Sequence, residues 1–290
     1  MDVLLRAALW MTGAIASFSF MAIAGRELAG DYDTFEIMFY RSSVGVIVVI
    51  GIIALQNRWR EIRFDHFGRH LLRNVFHFTG QNLWFFAVAF IPLAQVFALE
   101  FTSPLWVAVL APLILGERMT RMRAFAAVLG FLGILVVARP SVDTFEFGLL
   151  AAAGAALFFA LTNMLTKRLT RDNSIASILF FLTVTQFFFG LGAAGYDGDF
   201  ALPTMAAAPY LILVGCAGLM AHFCLTNALA IAPATVVVPL DFARLPVIAI
   251  VAMLLYAEPL DVWVFVGAGV IFVANYLNIW NETRKTAWIA

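Results

Sequence analysis

Residues 92–120, PLAQVFALEFTSPLWVAVLAPLILGERMT, return in altered form at 233–261 as PATVVVPLDFARLPVIAIVAMLLYAEPLD. The offset, 233 − 92 = 141, runs without a gap from Pro92/Pro233 through Glu100/Asp241 and Phe101/Phe242 to Glu117/Glu258. The same shift lays Gly13-Ala14 on Gly154-Ala155. Both copies sit inside apolar segments of membrane length. The chain therefore reads as two related halves, residues 1–141 and 142–290, of one membrane protein.

Composition agrees. Of 290 residues, 63% are hydrophobic and 12% charged, with a mean hydropathy of +0.94. Soluble domains average about 45–50% apolar and about 25% charged, so a water-soluble fold is excluded. The formal net charge of zero and the scatter of the basic residues argue against a nucleic-acid partner. Cys216 and Cys224 fall in one apolar segment and read as small buried side chains. No small-residue cleavage site follows the first apolar stretch, so it is expected to be a retained helix.

A spanning helix needs about 20 apolar residues. That length predicts ten, near 4–24, 34–55, 71–90, 93–115, 121–138, 147–167, 175–195, 207–230, 234–256 and 262–280, with turn and breaker residues between them. The basic residues set the orientation. With the N-terminus in the cytoplasm, Arg6, Arg58, Arg60, Arg63, Arg69, Arg73, Arg118, Arg121, Arg123, Lys167, Arg168, Arg171, Arg284 and Lys285 fall inside, and Arg26 and Arg139 outside. Both termini are then cytoplasmic. Five helices per half is an odd number, so the second half enters the membrane from the opposite face. The expected architecture is all-α and integral to the membrane, two inverted five-helix repeats around a central cavity, suited to alternating access.

The segments Pro92-Leu93-Ala94, Phe101-Thr102-Ser103-Pro104-Leu105 and Leu115-Gly116-Glu117-Arg118 resemble the drug/metabolite transporter superfamily, in the branch built from two EamA-type repeats. A weaker second copy runs from Pro233-Ala234 through Asp241-Phe242 to Ala257-Glu258. The resemblance covers about residues 5–280. It implies ten helices in two inverted bundles, and carriage of a small organic solute such as an amino acid, a nucleotide-like metabolite or a vitamin. The second copy departs from the pattern at Ala257-Glu258-Pro259 and at Arg244, which replaces Ser103.

Four ionisable residues lie well inside apolar spans: Arg41, Glu100, Asp241 and Arg244. Such groups persist when paired or when facing a cavity. Arg41 and Glu100 lie at matching depth in helices that start on the same face, which predicts a contact between them. Asp241 and Arg244, three apart, can meet on one helix face. His77 and Gln81 belong to a polar stripe with Asn74 and Trp84 on the third span, placed to line a cavity. Tyr40 and Trp106 are candidates for stacking on a flat substrate. The candidate substrate-binding set is therefore Tyr40, Arg41, His77, Gln81, Glu100, Trp106, Asp241 and Arg244, with Glu100 and Asp241 as candidate proton-coupling groups. Lone polar residues Gln186, His222, Asn227 and Asn275 read as helix–helix fasteners. Pro104 and Pro246 predict breaks beside the two carboxylates.

Phosphate-loop, nucleophile-elbow and metal-ligand patterns are absent. The sequence thus predicts a non-enzymatic secondary carrier of the inner membrane without cofactor or metal. It works as a monomer or homodimer, driven by a proton or counter-solute. The expected cargo is an amino acid or similar zwitterion, exported. The alternatives are uptake or exchange of a nucleoside-like, vitamin or phosphorylated solute and, from another class, a channel-like pore or scramblase.

Overall fold

The computed structural model describes residues 3–115, 120–139, 146–196, 198–232, 237 and 240–287. Glu117, Arg118, Pro233, Ala234 and Pro239 lie outside them. Among the described residues the protein is wholly helical: α1 (Val3–Leu28), α2 (Thr34–Leu55), α3 (Phe67–Phe90), α4 (Leu93–Glu100), α5 (Ser103–Leu115), α6 (Arg121–Ala138), α7 (Phe147–Leu169), α8 (Ile175–Ala193), α9 (Ala208–Ile231), α10 (Arg244–Tyr256) and α11 (Val262–Ala287).

Local chemistry fixes several boundaries. Asp33 opens α2 with a capping box: its side chain accepts from Glu36 N while Glu36 accepts from Asp33 N. Ser174 caps α8 through Ser177 N. Among the described residues six stretches are long and apolar enough to cross a membrane: Leu5–Leu28, Thr34–Leu55, Leu93–Leu110, Phe147–Leu169, Ile175–Ala193 and Ala208–Ile231. Ala124–Ala138 and Val262–Asn278 are shorter apolar helices. The 24 residues of α3 are less apolar because the helix turns Arg73, Asn74, His77, Gln81 and Trp84 into the protein. Arg73 and Asn74 are satisfied by neighbours, as a bilayer requires. Asn74 donates to Phe181 O and Thr185 Oγ1, and Arg73 donates to Thr166 Oγ1. Large apolar side chains such as Ile47, Phe131, Phe188 and Leu254 face outward, where lipid would meet them.

The expected proline breaks are present. The span that begins at Leu93 is interrupted at Phe101-Thr102, and α5 restarts at Ser103 with Pro104 second. Proline has no N–H to continue the ladder. Asn275 of α11 holds the break open by donating to Phe101 O at 3.2 Å. In the second half a 3₁₀ turn, Asp241–Ala243, precedes α10 in the corresponding place. Both candidate carboxylates sit at these breaks.

α1 packs on α9, α3 on α7, α2 on α8 and α6 on α11, while α4 meets α7 and α10. The α6–α11 crossing is close because Gly133 and Gly267 face each other. A Cβ on Gly267 would come within 2.8 Å of Gly133 O, whereas Gly269 has nothing within 4 Å. Gly267→Val is expected to destabilise the protein by about 1–3 kcal/mol through overpacking. Gly269→Val should leave thermal unfolding in detergent unchanged.

Candidate functional site

The guanidinium of Arg244, only 1% exposed, lines a cavity between the two halves of the chain. Its Nη2 donates to Glu100 Oε1 at 2.6 Å and to Asp241 Oδ2 at 2.5 Å. Glu100 Oε2 accepts from Trp84 Nε1 at 2.8 Å. The rings of Phe97 and Phe18 lie 4.4 and 5.0 Å from Arg244 Cζ, so the cation is held by two carboxylates and two aromatic faces. This places one cation against two acids from opposite halves of the chain, all at helix breaks. Asp241 Oδ1 and Arg244 Nε have no hydrogen-bond partner among the described residues.

Above this cluster His77 and His222 meet edge to face, with ring centroids 4.5 Å apart. Neither ring nitrogen of His77 has a partner, nor has Nε2 of His222. Gln81 and Asn163 add amides, and Phe18, Trp84, Phe101, Phe159 and Phe242 supply aromatic walls. The cavity leaves about 60 Å³ to the centres of water-sized spheres. Each water needs roughly 10–15 Å³ on that measure, so this arrangement admits a few waters and must widen for an organic solute. Among the described residues no group of histidine, cysteine and carboxylate side chains could hold a metal.

Five of the eight expected residues come together here: His77, Gln81, Glu100, Asp241 and Arg244. Three do not line this cavity. Tyr40 spends its hydroxyl on Ala201 O at 2.7 Å and packs with Tyr32, Phe39 and Phe200. Trp106 is not among the lining residues, and Arg41 lines a separate void. The expected Arg41–Glu100 contact is absent, because equal depth does not imply facing helices. α2 packs against α8 and α9, whereas α4 packs against α7 and α10. Arg244 takes the place assigned to Arg41.

Among the lone polar residues, Gln186 donates to Asn74 O, Asn227 to Phe223 O and Asn275 to Phe101 O, as fasteners do. His222 instead lines the cavity. The repeat carried the signal for it. Adding 141 converts Phe18 to Phe159, Met21 to Thr162, Gln81 to His222, Trp84 to Leu225, Glu100 to Asp241, Phe101 to Phe242 and Ser103 to Arg244. Every member of these pairs lines the cavity.

The two ends of the bundle repeat the pattern. Arg26 Nη2 donates to Ile91 O at 2.6 Å, and Lys167 Nζ donates to Ala232 O at 3.0 Å and Leu229 O at 2.6 Å. Arg26/Lys167 and Ile91/Ala232 are again 141 apart. Arg26 also pairs with Glu258 at 3.1 Å, and Glu258 accepts from Leu93 N. This ties the segment after α10 to the end of α1 and the start of α4.

A model of the EamA-like transporter family matches the chain twice, over residues 5–139 and 146–280. A riboflavin transporter of Vibrio cholerae is 28% identical over 97% of this chain and 95% of its own length. An S-adenosylmethionine uptake transporter of Rickettsia bellii is 24% identical over 95% and 94%. A pseudopaline exporter of Pseudomonas aeruginosa is 26% identical over 94% and 96%. These names bear out a transporter of a small molecule across a membrane. None of them names an amino acid as cargo, and they include both an uptake transporter and an exporter.

Removing one member of a buried ion cluster costs about 3–5 kcal/mol, while neutralising all of it costs far less. Arg244→Leu should therefore lower the unfolding temperature sharply. Combining it with Glu100→Gln and Asp241→Asn should restore most of the loss in the same melt.

Proposed function

The chain belongs to the EamA-like transporter family, and from that premise we propose a secondary carrier that takes up a flat heteroaromatic metabolite across the inner membrane by alternating access. The observation that carries this reading is the cavity, an aromatic-walled chamber around one arginine shared by two carboxylates. Five aromatic side chains suit a ring system better than a small aliphatic zwitterion. The arginine that lines the cavity is already engaged by two carboxylates, which disfavours phosphorylated solutes. Riboflavin and S-adenosylmethionine, the solutes in the relatives' names, both carry a heteroaromatic ring system and no phosphate.

The mechanism follows from the cluster. Glu100 and Asp241 compete for Arg244, and Asp241 Oδ1 is unpartnered. A proton or a solute donor on one carboxylate leaves Arg244 to the other, which shifts the balance between the two helix breaks. The two halves, 1–141 and 142–290, are read as inverted repeats. The family model's two matches, the seven cavity pairs at constant offset, and the packing of α1 on α9 beside that of α3 on α7 support this. Arg58, Arg60, Arg63, Arg69, Arg168 and Arg171 gather at one end, the cytoplasmic one by the positive-inside rule, with both termini.

Zwitterion export stays as the second reading, favoured by the carboxylates beside an arginine and by the exporter among the relatives. A thermal-shift screen separates the two. A ligand at 100 times its Kd stabilises by about 2.7 kcal/mol, and riboflavin or S-adenosylmethionine should do so while amino acids do not. The reverse ranking would overturn the substrate class. In proteoliposomes, Glu100→Gln and Asp241→Asn should each cut uptake at least about ten-fold, the 1.4 kcal/mol of one charged contact, with insertion intact. Trans-stimulation by unlabelled solute distinguishes a carrier from a pore.

A further inference from the structure

Arg41 and Ser42 on α2 are 5% and 2% exposed. Arg41 Nε and Ser42 Oγ have no hydrogen-bond partner. Both line a small void between α2, α8 and α9, bounded by Gly45, Thr183 and Gly215. Glycines make room for the guanidinium: a Cβ on Gly218 would lie 2.5 Å from Arg41 Nε. Among the described residues no carboxylate pairs with Arg41, and Glu100 and Asp241 are both engaged by Arg244. The other buried arginine of this region, Arg73, binds only the neutral oxygens of Thr166 and Asn74. An unpaired charge buried in an apolar bundle costs several kcal/mol, and a guanidinium does not escape by losing its proton.

We propose that Arg41 and Ser42 form a binding site for a single chloride-sized inorganic anion. The void is about 10 Å³, the size of a single water site, so a chloride-sized ion fits with a small outward shift of its lining and sulfate, phosphate or an organic carboxylate does not. The guanidinium supplies the charge, and the Ser42 hydroxyl donates a second hydrogen bond. The site adjoins the transport cavity, since Gly218 lies one helical turn before His222. An anion here neutralises the helix pair that carries His222 without entering the solute's path. The site stands apart from the substrate reading above.

The test is thermal unfolding of the purified full chain at constant ionic strength, with sodium chloride titrated against sodium gluconate. The melting temperature should rise with chloride and saturate, bromide should substitute, and sulfate should not. Ser42→Ala should weaken half-saturation roughly three- to ten-fold, the loss of one hydrogen bond. Arg41→Gln should abolish the response. Should Arg41→Gln fail to fold, Ser42→Ala and the anion series decide the matter. A melt indifferent to anion identity, or a chloride response unchanged in Ser42→Ala, overturns the site.

Discussion

A cation inside a membrane bundle has to be neutralised by the protein itself, and Arg244 is neutralised from both halves of the chain. Its partners are Glu100, at the break between α4 and α5, and Asp241, at the turn before α10. Pairing in an apolar medium is strong only where geometry and further hydrogen bonds are good. Here Trp84 completes Glu100, and two phenylalanine faces cover the cation. The breaks are what allow it. A continuous helix at Phe101-Thr102 would leave no free carbonyl for Asn275. The same interaction thus sets the helix path, the centre of the cavity and the contact between repeats.

The transport role proposed for the cavity accounts for two carboxylates around one arginine. Three fixed charges of a fully satisfied network would hold the halves in one state. A cluster with an odd charge and an unpartnered oxygen at Asp241 is balanced by what binds. The aromatic walls contribute area and little direction. On the proposed function, selectivity rests on His77, His222 and Gln81, whose side chains keep polar atoms without a partner among the described residues.

Much of this was legible in the residues. Span positions follow from apolar run length, and α2, α8 and α9 end within a few residues of the sequence estimate. The prolines announced the breaks, and the polar stripe on the third span announced His77 and Gln81. The facing of helices was not legible. Depth along a helix is encoded by residue count, but azimuth around the bundle is set by packing, which is why Glu100 meets Arg244 and not Arg41. Tyr40 illustrates the same limit, since an aromatic at the right depth on another face packs and caps a loop. His222 was within reach, because the offset that reveals the duplication carries Gln81 onto it.

The central claim is that two homologous halves cross the bilayer in opposite senses around the Arg244 cluster. Asp31 and Asp172 occupy equivalent places, 172 − 31 = 141, and both are exposed. With Cys216 and Cys224 replaced by alanine, single cysteines at these positions can be challenged with a membrane-impermeant maleimide on intact cells. The account predicts that Asp31→Cys is labelled from outside and Asp172→Cys only after permeabilisation. Labelling of both from the same side would contradict it.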